Sequence, residues 1–225
     1  MKTLIISDVH ANYEALGKIV SLENWDRIVC LGDIVDFGPS PEECISLIKE
    51  KAGVCVRGNH DNAVAFGVDC GCGYEIKDLS IDVRKYTNKV ISQQSKDYLK
   101  ELPLVASYNN QFYTHASVNN LFKYLKPDTP KKEFSEFEDL DEEMIFLGHT
   151  HIPMDRKIKG KRFLNPGSLG QPRDGDVNAP YIILEEGNLI KERIDYDREK
   201  VIKKMKKVSL PERAMRILRD GKVVP

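Results

Sequence analysis

The chain has 225 residues, 41% of them hydrophobic and 31% charged, which excludes wholesale disorder and a collagen-like repeat. Its 34 basic and 35 acidic side chains nearly cancel, so no global field draws it to nucleic acid. No apolar run approaches the ~18 residues of a membrane span, and the opening stretch is too short for a signal peptide before it meets Asp8.

A chain of this length buries about 70% or more of its extended surface on folding, enough for one self-sufficient core. One domain over residues 1–225 is expected, with 191–225 as a C-terminal strand and helices packing on it. Leu4-Ile5-Ile6 is a short continuous apolar run, the mark of a strand buried on both faces. Residues 12–20 read as a helix, and Ile28-Val29-Cys30-Leu31 as a second buried strand ending at Gly32-Asp33. Pro41 suits the first turn of a helix reaching about Glu50. Val54-Cys55-Val56 is a third strand, ending at Gly58-Asn59-His60-Asp61. This alternation predicts parallel crossover units.

Cys70-Gly71-Cys72 lacks the two-residue spacer of zinc knuckles, and five cysteines in a chain that needs no staples read as reduced thiols in a cytoplasm. Leu79, Val83, Tyr86, Val90 and Tyr98 lie near helical spacing and predict one long helix over 79–100. After Pro103 the register changes. Asn109-Asn110 suits a tight hairpin turn between two short strands, and Met144–Leu147 is a further strand ending at Gly148-His149. Hairpins are expected around Gly160 and Gly187-Asn188, so the first half reads as parallel and the second as largely antiparallel. The acidic run 131–143 and the basic run 191–207 read as solvated faces.

The sequence holds five histidines, His10, His60, His115, His149 and His151, and each follows a predicted buried strand. Ligands of open α/β sheets bind beyond the carboxyl ends of the strands, so all five point to one rim. Asp8, Asp33, Asn59 and Asp61 occupy the same rim. Asp8-x-His10 and His149-x-His151 would each place two side chains on one side of an extended segment, because strand side chains alternate. With Asp33 and Asn59 added, the donors exceed what one four-coordinate zinc requires. Imidazole and carboxylate donors without thiolate suit manganese, iron, zinc or nickel better than calcium. More than six donors points to two ions about 3.5–4 Å apart sharing a carboxylate.

Asp8-Val9-His10, Gly32-Asp33-Ile34-Val35-Asp36, Gly58-Asn59-His60-Asp61, Thr114-His115 and Gly148-His149-Thr150-His151 resemble, in order, the five blocks of the calcineurin-like metallophosphoesterases. Asn165-Pro166-Gly167-Ser168 is similar to a further segment of the small prokaryotic phosphodiesterase branch. The resemblance implies an α/β fold, a four-layer α/β/β/α sandwich of two mixed sheets with a dinuclear metal site at the C-terminal edge of the strands. Carried over by position, it implies one metal site of Asp8, His10, Asp33 and His151. It implies a second of Asp33, Asn59, His115 and His149, with Asp33 bridging. His60 is then free of metal and serves as the acid toward the leaving oxygen, with Asp36 as its partner and Asp61 as the second choice. The implied cofactors are two divalent ions, manganese first, with iron, zinc, nickel or cobalt as alternatives. The implied reaction is attack on a phosphoester by a metal-bridging hydroxide.

Two departures refine this. Thr114-His115 lacks the glycine that often precedes the fourth-block histidine. Where the Ser/Thr phosphatases of the superfamily carry an arginine, Phe37 stands here, either as an apolar shelf or as rim packing. Losing that bidentate grip argues against a phosphoprotein monoesterase and weakens a dinucleoside-polyphosphate hydrolase. A phosphodiesterase on small or nucleotide-like substrates is the resulting expectation, with a phosphomonoesterase or a dinucleoside-polyphosphate hydrolase as the alternative. A catalytically weak scaffold of the same fold is the rival from another class, and retention of every ligand position speaks against it. Asn12, Arg57 and Arg173 are candidate substrate contacts, with helix capping the competing role for Asn12. The expected partner is a small phosphoester, with neither membrane nor nucleic acid. A final helix from Pro211 would cap the sandwich or mediate a homo-oligomer.

Overall fold

The computed structural model describes residues 1–223, so residues 224–225 of the expected domain lie outside the described residues. The chain opens with β1 (Lys2–Ile6), α1 (Tyr13–Val20), β2 (Arg27–Cys30), α2 (Pro41–Lys51) and β3 (Val54–Cys55). β1 pairs in parallel with β2, and β2 with β3. The unbroken apolar runs have a physical cause. Leu4, Ile6, Ile28 and Cys30 face the helices, while Ile5, Val29 and Leu31 face a second sheet, so neither face of these strands meets water. The Asn12 side chain caps α1 by accepting the Ala15 N–H, and Pro41 opens α2 where its missing N–H is not needed.

The segment after β3 is the start of a helix, α3 (Asn59–Phe66), rather than a plain loop. The expected long helix over 79–100 is two helices, α4 (Lys77–Val90) and α5 (Gln93–Glu101). Ser92 separates them. Its hydroxyl oxygen accepts the Ser95 N–H as the cap of α5, and its own N–H and O–H are taken by Glu42 of α2.

β4 (Val105–Tyr108) and β5 (Gln111–Thr114) form the expected hairpin, with Asn109 and Asn110 both at positive φ. A 3-10 segment (Lys131–Phe137) precedes β6 (Met144–Phe146), β7 (Met154–Ile158), β8 (Lys161–Asn165), β9 (Ala179–Glu185), β10 (Asn188–Ile194), α6 (Arg198–Lys207) and α7 (Glu212–Asp220). The first sheet has the order β10-β9-β1-β2-β3 and the second β4-β5-β6-β8-β7. The second half is therefore less antiparallel than expected. β6 pairs in parallel with both β5 and β8, and only its edge strands run against it. The β9–β10 hairpin joins the first sheet instead, antiparallel to β1.

Three apolar layers hold the sandwich. Ile5, Val29 and Ile182 of one sheet meet Tyr113, Phe146 and Leu164 of the other. The outer face of the first sheet packs on all seven helices, through residues such as Leu16, Ile45, Val64, Leu79, Leu99, Ile202 and Ile217. The outer face of the second sheet is covered by Phe134 and Phe137 of the 3-10 segment. No helix among the described residues is long and apolar enough to cross a membrane.

α7 caps the first sheet's helical layer with Ala214, Met215, Ile217 and Leu218, all buried. Ile217→Ala is expected to lower stability by about 2–5 kcal/mol through lost burial and the cavity left behind. A urea titration reads this as a lower midpoint at unchanged slope; an unchanged midpoint would show that α7 is not part of the core.

Candidate metal centre and active site

The seven candidate ligands lie just past strand ends: Asp8 and His10 after β1, Asp33 after β2, Asn59 opening α3, His115 after β5, His149 and His151 after β6. Each is 3% exposed or less. The backbone that presents them is not the extended one the spacing suggested. Asp8, His10, Asp33, His149 and His151 have φ of 52°, 46°, 54°, 66° and 59°, a left-handed region that residues with side chains seldom adopt. Each therefore turns its side chain inward at a sharp bend rather than by strand alternation. Such strain costs on the order of 1–3 kcal/mol per residue and persists only where surrounding structure enforces it. Gly148 allows one close approach, since a Cβ there would collide with Ser7 Oγ and press on Asp8.

Hydrogen bonds set the chemistry of the rings. His10, His115 and His151 donate Nδ1–H to the carbonyls of Val35 (3.0 Å), Leu31 (2.7 Å) and Gln171 (2.7 Å). A carbonyl only accepts, so each Nδ1 carries the proton and each neutral ring presents Nε2 as a bare lone pair. His10 Nε2 and His151 Nε2 stand 3.1 Å apart, and lie 3.9 and 3.2 Å from Asp8 Oδ1. His115 Nε2 is 3.3 Å from Asp33 Oδ2 and 2.9 Å from Asn59 Oδ1. His149 Nδ1 lies 3.0 Å from that same Asn59 oxygen. The Asn59 amide nitrogen is turned away and donates to the Cys70 carbonyl at 2.8 Å, which aims the oxygen at the histidines. Two donor groups result: Asp8 with His10 and His151, and Asp33 with His115 and His149. Asp33 Oδ2 also lies 3.9 Å from His10 Nε2, which brings it between them.

These groups fit cations. Two lone pairs 3.1 Å apart repel each other, and Asp8 Oδ1 is buried without a hydrogen-bond partner. A positive charge between them relieves both. Burial, then the neighbouring His151, holds His10 well below its ordinary pKa. Burial and His115 push His149 down to about 3, and burial and Arg173 lower His151. All three are neutral at pH 7, as imidazole ligands must be. His115 behaves oppositely: burial disfavours its charge, but Asp33 outweighs burial and raises it to about 10. Without a metal, a proton on His115 supplies the positive charge that Asp33 requires. Asp8 and Asp33 stay ionised because His151 and His115, respectively, outweigh the burial that opposes their charge.

His60 lies outside both groups. Its Nδ1 donates to Asp36 Oδ2 at 2.8 Å, and its ring meets that of His10 edge-on at 5.1 Å. Asp36 Oδ2 also accepts from Arg84 Nε at 3.0 Å, a residue the sequence reading missed. A signal for it existed, because Ser80, Arg84 and Thr87 recur at helical spacing as a polar yet buried stripe of α4. Asp61 is not the partner of His60. Its carboxylate accepts the backbone N–H groups of Asp33, Ile34, Val35 and Gly58 at 2.7 to 3.3 Å. Burial and the adjacent Asp33 still raise it to about 6.

Phe37 is buried and packs edge-on against His10 and His60 at 4.9 and 5.1 Å, so it is rim packing and not a shelf. Asn12 is committed to capping and to the Gly170 carbonyl. Arg57 turns away to the Lys100 carbonyl and over the Phe66 ring. Arg173 does reach the site, 5.8 Å from the Phe37 ring and held by Gln171 Oε1. Tyr124 lies against His149 with ring centroids 4.1 Å apart. The expectation of five reduced thiols is corrected at two positions, where Cys70 and Cys72 form a disulfide; Cys30, Cys44 and Cys55 are free. A surface cleft of about 490 Å³ between Trp25, Arg27 and Tyr108 lies at the opposite end of the strands. None of the donor groups found among the described residues falls in it.

Two mixed sheets with buried nitrogen and oxygen donors at their strand ends define a metal-dependent phosphoester hydrolase. The chain belongs to the calcineurin-like phosphoesterase superfamily, whose domain profile matches residues 1–188. It is 36% identical to an uncharacterized protein of Methanocaldococcus jannaschii, over 92% of this chain and 93% of that one. It superposes on a metallophosphoesterase from Sphaerobacter thermophilus with a TM-score of 0.87 at 30% identity, over 98% of this chain and 99% of that one. A hypothetical protein from Pyrococcus horikoshii OT3 shares the fold, with a TM-score of 0.83 at 21% identity over 99% of each chain.

A cation entering the second group must displace the His115 proton. Metal uptake at pH 7 by chelator-stripped protein should release about one proton, and affinity should rise roughly tenfold per pH unit toward pH 10. Calorimetry in two buffers of different ionisation enthalpy measures the count, and release of none would remove His115 from the ligand set.

Proposed function

We propose that the protein is a two-metal phosphodiesterase acting on small or nucleotide-like diesters. Asp8, His10, Asp33 and His151 would hold one divalent ion, and Asp33, Asn59, His115 and His149 the other, with Asp33 shared. Nitrogen and carboxylate donors without sulfur favour manganese, and iron, zinc, nickel and cobalt suit the same set. When bound, such ions polarise the phosphoryl oxygens and acidify a water toward neutral pH.

The observation that carries the reading is the chain of hydrogen bonds from Arg84 through Asp36 to His60 beside the two donor groups. Asp36 accepts the Nδ1–H hydrogen bond and fixes the ring, so Nε2 is the atom left to give a proton to the departing alkoxide. Arg84 keeps Asp36 in place and prevents it from swinging toward the donors. A diester fits the remaining charge better than a monoester. The residue after Asp36 is Phe37, packed edge-on against two histidine rings, so that position itself supplies no guanidinium to grip a phosphate dianion. Arg173, 5.8 Å from the Phe37 ring, is the cation we place to meet a phosphoryl oxygen.

Chelator-stripped protein given Mn²⁺ should hydrolyse an aryl phosphodiester faster than the matching monoester. A monoester preference would move the reading to a small-molecule phosphatase, and no turnover despite bound metal would favour the scaffold. His60→Ala should lower turnover by about 10²–10⁴-fold with metal content unchanged. Metal analysis showing loss of an ion from that variant would make His60 a ligand instead.

A further inference from the structure

Cys70, Cys72 and His60 bring three soft donors together beside the catalytic edge. Cys72 Sγ is 3.2 Å from His60 Nε2, and the two sulfurs and that nitrogen all lie within 4.8 Å of one another. All three residues are buried. His60 Nδ1 is spoken for by Asp36, so Nε2 is the ring's free ligand atom. The loop that carries the cysteines is anchored rather than loose. Asn59 Nδ2 donates to the Cys70 carbonyl at 2.8 Å and lies 3.8 Å from Cys72 Sγ, while Gly71 is seated directly under the Phe122 ring.

We infer that the reduced Cys70–Cys72 pair and His60 Nε2 form a third cation site, for a soft divalent ion of the zinc or cadmium type, distinct from the two oxygen- and nitrogen-lined groups. Two thiolates and one imidazole make three of zinc's four ligands and leave one position open. The chemistry balances with a small dithiol, which becomes its cyclic disulfide, or a phosphine, which takes the oxygen of one water to become its oxide: the Cys70–Cys72 bond takes two electrons and two protons to give two thiols. Metal binding then forms two metal–sulfur bonds and releases both thiol protons to solvent. The disulfide form cannot hold the ion, because its sulfurs carry no thiolate charge. The site is therefore open only after reduction. Its consequence for turnover rests on the phosphodiesterase reading, since an ion on Nε2 occupies the atom that would protonate the leaving group; the binding itself does not.

The test loads the protein with Mn²⁺, reduces it with a phosphine, removes the reductant and titrates Cd²⁺ while following cadmium–thiolate charge-transfer absorption. One equivalent should saturate the band in reduced wild type, with no band in unreduced protein, in Cys72→Ser or in Cys70→Ser. The unreduced wild type guards against misfolded variants, because its sequence is unchanged. One equivalent of Zn²⁺ should also lower turnover of the reduced protein by about 10²-fold, the loss expected when the acid is withdrawn, and leave the unreduced protein unchanged; an equal loss in both would place the zinc in the manganese groups and overturn the effect on turnover. A band that persists in both serine variants, or none in the reduced wild type, overturns the inference. A band without any phosphoesterase activity would overturn the proposed function and leave the cation site standing.

Discussion

Val35, Leu31 and Gln171 each present a backbone carbonyl to the Nδ1 of a histidine, and the site depends on those three bonds. A carboxylate in the same position would orient the ring but would itself titrate. A carbonyl has no second protonation state, so whenever the ring is neutral its proton stays on Nδ1 and Nε2 is the bare nitrogen. The carbonyls in turn are placed by the sheets. Leu31 continues β2 into the β1 register through its N–H to the Ile6 carbonyl. Gln171 is tied back by its N–H to Ser168 Oγ, whose hydroxyl donates to the Asp8 carbonyl. Strand register is thereby converted into the direction of a lone pair.

The left-handed bends at the strand ends need a second device to hold them, and Asp61 supplies it on the β2 side. Four backbone N–H groups converge on one carboxylate, which would otherwise be an expensive buried charge beside Asp33. Those bonds join the loop after β2 to the start of α3. They fix Asp33 and Asn59 relative to each other, although one follows β2 and the other follows β3. The two donor groups are brought together by the same atoms that hold the backbone strain.

The sequence carried the strands and the gathering of nitrogen and oxygen donors at their ends well, because buried parallel strands are runs of apolar residues and the donors lie where each run stops. It carried the conformation of the site poorly. Asp8-x-His10 reads as two residues of an extended chain, yet the positive φ of both residues follows from contacts with distant segments. α3 escaped notice because Asn59–Phe66 opens with three polar residues that are all buried, so burial there follows no apolar face. The break at Ser92 depends on Glu42, fifty residues away, and a periodicity of apolar positions cannot register it. The Cys70–Cys72 bond was invisible for the same reason, and the polar spacing that marked Arg84 could not name its partner, since their meaning comes from His60 and Asp36.

His60 is where two chemistries meet. Its Nδ1 side faces Asp36 and Arg84, a charged and fixed arrangement of oxygen and nitrogen. Its Nε2 side faces sulfur. Hard and borderline cations favour the carboxylate and imidazole groups a few ångströms away, whereas a soft ion gains more from thiolate. On that inference one edge of the sandwich would sort cations by ligand type, and His60 is the residue whose availability would differ between the outcomes. Asp36 can hold the ring in place whichever ion arrives, but it cannot decide what occupies the opposite nitrogen. That decision falls to the two sulfurs. A loop of three residues with no place in the five catalytic segments thus borders the one proton donor the proposed reaction needs.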